Sequence, residues 1–294
     1  MSKTILVSGS LAYDRIMNFP GRFRDHIMPD KIHMLNLSFE VETVEERFGG
    51  TAGNIAYNLK LLNQNPLIVS AAGEDFEQYR NHLRINDIDD SLIEIIADAK
   101  TAFVNIITDL DDNQISAFYP GALADASISN KIPKEAEVAI ASPEAKESMI
   151  NRIVVYQKKE LPYVFDPGQQ IPMFSGQELR QCMDGAKILI GNDYEISLIR
   201  QKTALSIKNI LKKAEILVIT LGKQGSRIYT STGVIKIKSV KPAKFIDPTG
   251  AGDAYRAGFV SALIDGQSLK QCGTLASKIA AKAIEHYGAQ EHRF

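Results

Sequence analysis

The sequence predicts an α/β fold: a mostly parallel sheet with helices on both faces, and a small β-sheet lid set apart from it. Three observations carry this. Short apolar runs of strand type alternate with longer segments of helical period. Two stretches, residues 14–41 and 102–119, break that rhythm and show no helix of their own. The chain has 294 residues, 45% of them apolar and 23% charged, enough for one large buried core.

The elements follow in order. Ile5-Leu6-Val7 reads as a buried strand, and residues 51–62 as a helix with Ile55, Leu59 and Leu62 on one side. Leu67-Ile68-Val69 is a strand and residues 76–85 a helix. Strands at Val138-Ala139-Ile140 and Tyr163-Val164-Phe165 bracket a helix over about residues 144–158. Ile188-Leu189-Ile190 precedes helices reaching about residue 213, and Ile216-Leu217-Val218-Ile219 follows. This alternation argues for a parallel sheet covered on both faces. Residues 102–108 and 114–119 read as a hairpin around the polar turn Asp109 to Asn113. The division expected is residues 1–13, 42–101 and 120–294 in the core, with 14–41 and 102–119 in the lid.

Composition excludes several classes of function. A formal net charge of -1 gives no bulk attraction to nucleic acid or to an anionic membrane. No stretch is long and apolar enough to span a bilayer, and the first apolar run is too short for a signal peptide. Cys182 and Cys272 have neither a disulfide framework nor zinc-ligand spacing. A cytoplasmic protein is expected.

The most informative segment is Asp247-Pro248-Thr249-Gly250-Ala251-Gly252-Asp253, which runs into a helical pattern. Small residues at a helix start leave N–H groups open to an anion, and glycines let a ligand approach the backbone. Thr249 is the expected cap. Asp253 sits on the first turn, beside whatever those N–H groups hold. The helix dipole favours its carboxylate, so a lowered pKa is expected. The segment reads as a phosphate cradle with a general base at its edge. No GxxxxGK[ST] loop occurs, and no GxGxxG follows the first strand, which argues against a P-loop enzyme and a dinucleotide-dependent dehydrogenase.

Four motifs in order resemble the ribokinase-like (PfkB) family of carbohydrate and nucleoside kinases. They are the segment 247–259, Phe48-Gly49-Gly50-Thr51-Ala52-Gly53-Asn54, Asn192-Asp193-Tyr194-Glu195, and Thr220-Leu221-Gly222-Lys223-Gln224-Gly225. The resemblance spans the chain. It implies a three-layer α/β/α core, a lid over the acceptor site, and in-line transfer of the ATP γ-phosphoryl group to a hydroxyl. Asp253 then matches the catalytic base, and the N–H groups of Gly250, Ala251 and Gly252 match the anion hole. Asn192 and Glu195 match the motif that places Mg²⁺ through waters. Thr220, Gly222 and Gly225, with Thr249, match the nucleotide's surroundings. A monovalent-cation requirement stays open.

The same resemblance implies an acceptor end. Asp14 follows the first strand, where open parallel sheets present ligand sites, and a carboxylate suits a ribose diol. Gly49, Gly50 and Asn54 match further sugar contacts. Stretches such as Ser116-Ala117-Phe118-Tyr119-Pro120-Gly121-Ala122 and Asp166-Pro167-Gly168-Gln169-Gln170 resemble bacterial adenosine kinases within the family. Phe103 and Phe118 lie on the two hairpin strands; they either sandwich a purine or pack the lid's own small core. Gln169 and Gln170 are candidates to hydrogen-bond the acceptor, and Ser8 matches a substrate contact of that subgroup. Gly168 stands where related enzymes carry Ser, a change expected to loosen the loop. The expectation is an adenosine kinase. The alternatives are a kinase of another nucleoside, ribose or a hexose, and a catalytically silent binding protein. The partner is a small nucleoside or sugar; a monomer and a homodimer through the lid edge both stay open.

Overall fold

The computed structural model describes residues 2–111, 113–124 and 132–294. Asp112 of the predicted turn and residues 125–131 of the predicted core lie outside them. The larger sheet has nine strands: β1 (Thr4–Ser8), β4 (Asn65–Ala72), β5 (Ile93–Ile95), β8 (Ala136–Ala141), β9 (Tyr163–Phe165), β10 (Ile188–Asn192), β11 (Ile216–Thr220), β12 (Ser226–Thr230) and β13 (Gly233–Ile237). Their spatial order is β13-β12-β11-β10-β9-β8-β1-β4-β5. Every pairing from β5 through β11 is parallel; β11-β12 and β12-β13 are antiparallel.

The apolar strand runs explain the layering. Alternate residues of one strand face opposite sides, so a strand buried on both faces must be apolar throughout. Ile5 and Val7 join one cluster with Ile140, Val218 and Phe259, beneath the helices Thr51–Leu61, Ala251–Ile264 and Leu269–Ala283. Leu6 joins the other with Phe165, Leu189 and Leu217, beneath Lys146–Lys158, Gly176–Met183 and Asp193–Thr203. Each such side chain contributes roughly 1.5–3 kcal/mol on burial. Among the described residues, no helix is long and apolar enough to cross a membrane.

The second sheet has four strands in the order β3-β2-β6-β7: β2 (Ala12–Asn18), β3 (Thr43–Gly49), β6 (Ala102–Thr108) and β7 (Gln114–Tyr119). The lid was expected in residues 14–41 and 102–119, but one of its strands lies beyond that boundary. Residues 32–39 supply no strand; a 3-10 helix covers Pro29–Met34, and the pairing strand is Thr43–Gly49. Strand β3 therefore runs from the lid straight into the diglycine turn and the helix Thr51–Leu61. The hairpin β12-β13, strand β5 and the last helix have no counterpart in the sequence reading.

Candidate active site

Asp253 lies near the start of the helix Ala251–Ile264, whose N-cap is Gly250 at φ +74°. A Cβ at Gly250 would collide with Ala289, so only glycine makes this turn. Thr249 does not cap the helix. Its N–H donates to Asp247 Oδ1 (2.9 Å), and Asp247 Oδ2 accepts from Gly288 N–H (2.9 Å). Asp247 thus ties the turn to the C-terminal segment. Ala251 N–H donates to Pro248 O (3.2 Å). Among the described residues nothing takes up the N–H groups of Gly250 and Gly252. The expected three-donor cradle is therefore two free donors beside one engaged in the turn.

Asn54 Nδ2 donates to Asp253 Oδ2 at 2.9 Å. The Asp253 carboxyl is pushed up to about 6, mainly by burial, with the charges of Asp166 and Glu195 adding to it; Arg256 and the Asn54 bond oppose. This reverses the lowered value expected from the helix dipole. The dipole is worth up to about 1 kcal/mol at exposed sites, less than desolvating a carboxylate among other acids.

Arg256, one turn along the same helix, was missed, although its spacing from Asp253 places both on one face. Its guanidinium grips Asp166 with both Nε and Nη2, the latter at 2.7 Å, and stands 4.0 Å from Glu195 Oε2. Gly252 leaves the room: a Cβ there would meet Arg256 Nη1 at 2.7 Å. Asn192 and Glu195 form a capping box, with Glu195 N donating to Asn192 Oδ1 (2.8 Å) and Asn192 N to Glu195 Oε2 (2.7 Å). Burial and Asp166 raise the Glu195 carboxyl. Its Oε1 is left over from the cap. No group of three or more His, Cys, Asp or Glu side chains among the described residues could hold a metal ion. One spare carboxylate oxygen fits an ion carried mainly by phosphates and waters.

The lid contributes Asp14, whose carboxyl is pushed up to about 7 by burial and then by the charges of Asp253 and Asp247. Its cross-strand neighbour Arg47 turns instead to Glu45 and the Tyr287 ring (5.2 Å). Gly49 is required beside it, since a Cβ would strike the Asp14 carboxylate. Gly50 sits at φ +86°, where a Cβ would meet the backbone of residues 10–12. The diglycine lets lid and core approach closely enough for Asp14 to feel Asp253.

The two phenylalanines do not form a sandwich. Phe118 pairs with Val104, which pairs with Asp14, so these three share one face of the lid. Phe103 pairs with Tyr119 and Tyr13 on the opposite side. There it is half-buried against the core, with its ring 5.1 Å from Tyr119 and under the Arg15 guanidinium (4.3 Å). Phe118, 53% exposed, is the ring available for a base.

Ser8 does not reach a substrate: it is 0% exposed, and its hydroxyl donates to Ile140 O at 3.1 Å. Gln169 is exposed and Gln170 half-buried on the 3-10 turn Gly168–Met173, past the end of β9. Gly168 does not loosen this loop; it adopts φ +43° with Pro143 against its Cβ position, a conformation serine would strain. Thr220 ends β11, and Gly222 (φ +53°) and Gly225 (φ +88°) make the turn into β12. Asp166, Asn192 and Thr220 thus stand at the carboxyl ends of β9, β10 and β11, the edge where open parallel sheets bind ligands.

Comparison with known proteins gives concordant results. The family described as pfkB family carbohydrate kinase matches residues 10–293. A nucleoside kinase of Methanothermobacter thermautotrophicus is 35% identical over 98% of this chain and 91% of its own. One from Methanocaldococcus jannaschii is 32% identical over 87% of this chain and 85% of its own. The structure of Burkholderia thailandensis nucleoside kinase in complex with inosine superposes with a TM-score of 0.88 at 36% identity, covering 98% of this chain and 93% of that one. The chain belongs to the pfkB family of carbohydrate kinases, phosphotransferases whose acceptor is a hydroxyl group.

Proposed function

We propose that this protein is an ATP-dependent nucleoside kinase with adenosine as its acceptor. The observation that carries the reading is Asp253: an acid held by Asn54, titrating near 6, beside the free N–H groups of Gly250 and Gly252. At neutral pH such a group is mostly ionised yet basic enough to take a hydroxyl proton. The acceptor's 5′-oxygen attacks the γ-phosphorus in line, its proton passes to Asp253, and the bond to the bridging oxygen breaks to release ADP. Gly250 and Gly252 N–H groups stabilise the charge on the phosphoryl oxygens. Asp14 accepts hydrogen bonds from the ribose diol, and Phe118 stacks on the base. Asn192 and Glu195 would hold Mg²⁺ through water, and the ion would neutralise phosphate charge.

Relatives named nucleoside kinase support the substrate class. Inosine is a second reading, favoured by the inosine complex of the Burkholderia relative. The test is ATP consumption with Mg²⁺ against adenosine, inosine, guanosine, cytidine, ribose and fructose. Adenosine should give the highest kcat/KM. Preference for a free sugar would sink the nucleoside reading, and no consumption with any acceptor would leave a silent binding protein.

A further inference from the structure

The C-terminal segment after the last helix threads back into the core, and Gln290 is 2% exposed there. It meets three side chains through three hydrogen bonds. Its Nε2 donates to Asn54 Oδ1 (2.9 Å) and to Tyr79 Oη (2.7 Å), and its Oε1 lies 3.1 Å from His82 Nε2. Tyr79 in turn donates to Gly49 O at 2.7 Å. Burial raises the Tyr79 hydroxyl and lowers the His82 imidazole, so the first stays protonated and the second stays neutral.

We infer that Gln290 is a positioning residue, which locks the Asn54 amide so that its Nδ2, and not its Oδ1, faces Asp253. The direction of every bond follows from the fixed ends. Tyr79 has one proton, and the Gly49 carbonyl takes it. Tyr79 Oη must therefore receive, so Gln290 turns Nε2 toward it and Oε1 toward His82, which donates from Nε2. The second Nε2 proton then points at Asn54. Only Asn54 Oδ1 can accept it, which leaves Nδ2 for the Asp253 carboxylate. A flipped Asn54 would set donor against donor at Gln290 and oxygen against carboxylate at Asp253. A residue 37 positions beyond Asp253 in the chain thus sets the hydrogen bond that favours its ionised form.

The inference rests on Asp253 being the base only for its effect on turnover, so the test reads the carboxyl directly. The Asp253 side-chain ¹³C resonance is titrated in wild type, Gln290→Met and Gln290→Glu. Methionine keeps the volume and removes all three amide hydrogen bonds; glutamate accepts where Gln290 donates and turns Asn54 around. Folding of each variant is checked by thermal melting. Gln290→Met should raise the Asp253 midpoint by about one pKa unit, roughly tenfold in ionised fraction at the wild-type midpoint, and Gln290→Glu should raise it further. Tyr79→Phe, which removes the bonds of Tyr79 to Gly49 and Gln290 but leaves the Gln290–Asn54 bond, should shift it less than Gln290→Met. The acid limb of kcat/KM should move with the resonance. An unmoved midpoint in folded Gln290→Met overturns the inference. A moved midpoint with an unmoved acid limb keeps Gln290's role and removes Asp253 as the base.

Discussion

On the proposed roles, Asp253 and Asp14 both work ionised and both titrate near neutrality, so the reaction should be steeply pH-dependent. Asp253 is pushed to about 6 and Asp14 to about 7, in both cases mainly by burial. Because kcat/KM reports the free enzyme, both should appear in it. Moving from about pH 8 to pH 5 protonates Asp253 one unit past its midpoint and Asp14 two units past. The expected losses are about tenfold and about a hundredfold, together on the order of a thousandfold. The log profile should have slope one just below pH 7 and approach two below pH 6. The assay is initial rate against nucleoside concentration, with the ATP–magnesium complex saturating at each pH. Asp14→Asn should reduce the limiting slope to one. Asp253→Asn should lower kcat by a factor on the order of 10²–10⁴, the range for removing a general base. A flat profile from pH 8 to 5, or Asp253→Asn turning over at the wild-type rate, would refute the reasoning.

The two lid phenylalanines should separate cleanly by assay. Phe118→Ala should raise the nucleoside KM by roughly tenfold or more, since base stacking on an aromatic is worth about 1–3 kcal/mol, while Phe103→Ala should instead cost about 2–3 kcal/mol in a melting experiment. The reverse pattern would put the base on the other face of the lid. Asp14→Asn should stabilise the empty protein at high pH. The folded Asp14 pKa, about 7, lies above the ordinary 3.8, so its favourable contribution is complete below about pH 4 and is lost as pH rises through 7. Asparagine undergoes no such loss: the two proteins should melt alike near pH 4, and the variant should melt higher above pH 7. A variant that melts lower at pH 8 contradicts the raised pKa.

The core was legible because its strands are buried on both faces. Val7, Ile140, Val218 and their neighbours form apolar runs that no exposed element would need. The glycines of the two turns were legible as backbone requirements, and Gly50 and Gly250 occupy the left-handed region that such a reading demands. The phenylalanine error was one of register. The strand bounds 102–108 and 114–119 were read correctly, and pairing Thr108 with Gln114 puts Phe103 opposite Tyr119, not Phe118. A bulge in the turn would reverse this, so the bounds alone do not fix the faces. Gln290 and Tyr79 were not legible, because their roles come from contacts between segments far apart in sequence. The Asp253 pKa was misjudged for a related reason. Its local setting, a helix start, argues one way; burial, and after it the charges of Asp166 at the end of β9 and Glu195 at the start of another helix, argue the other.

That opposition can be tested at Asp166. Its charge raises Asp253, while its pairing with Arg256 holds back a cation that lowers it. Asp166→Asn changes both in the same direction. The negative charge disappears, and Arg256, no longer neutralised, acts more fully on Asp253. The Asn Oδ1 can still accept from Arg256 Nη2, while its Nδ2 meets Arg256 Nε donor against donor, so one of the two contacts is kept and folding of the variant is checked by thermal melting. The acid limb of kcat/KM should therefore move to lower pH, opposite to the shift expected for Gln290→Met. Asp253 would be more fully ionised at pH 6 but a weaker base, so the plateau at pH 8 should fall while the fraction of it retained at pH 6 rises. An acid limb that stays put, or moves up, would mean that desolvation alone sets the Asp253 pKa and that Arg256 and its acids serve the packing beneath it.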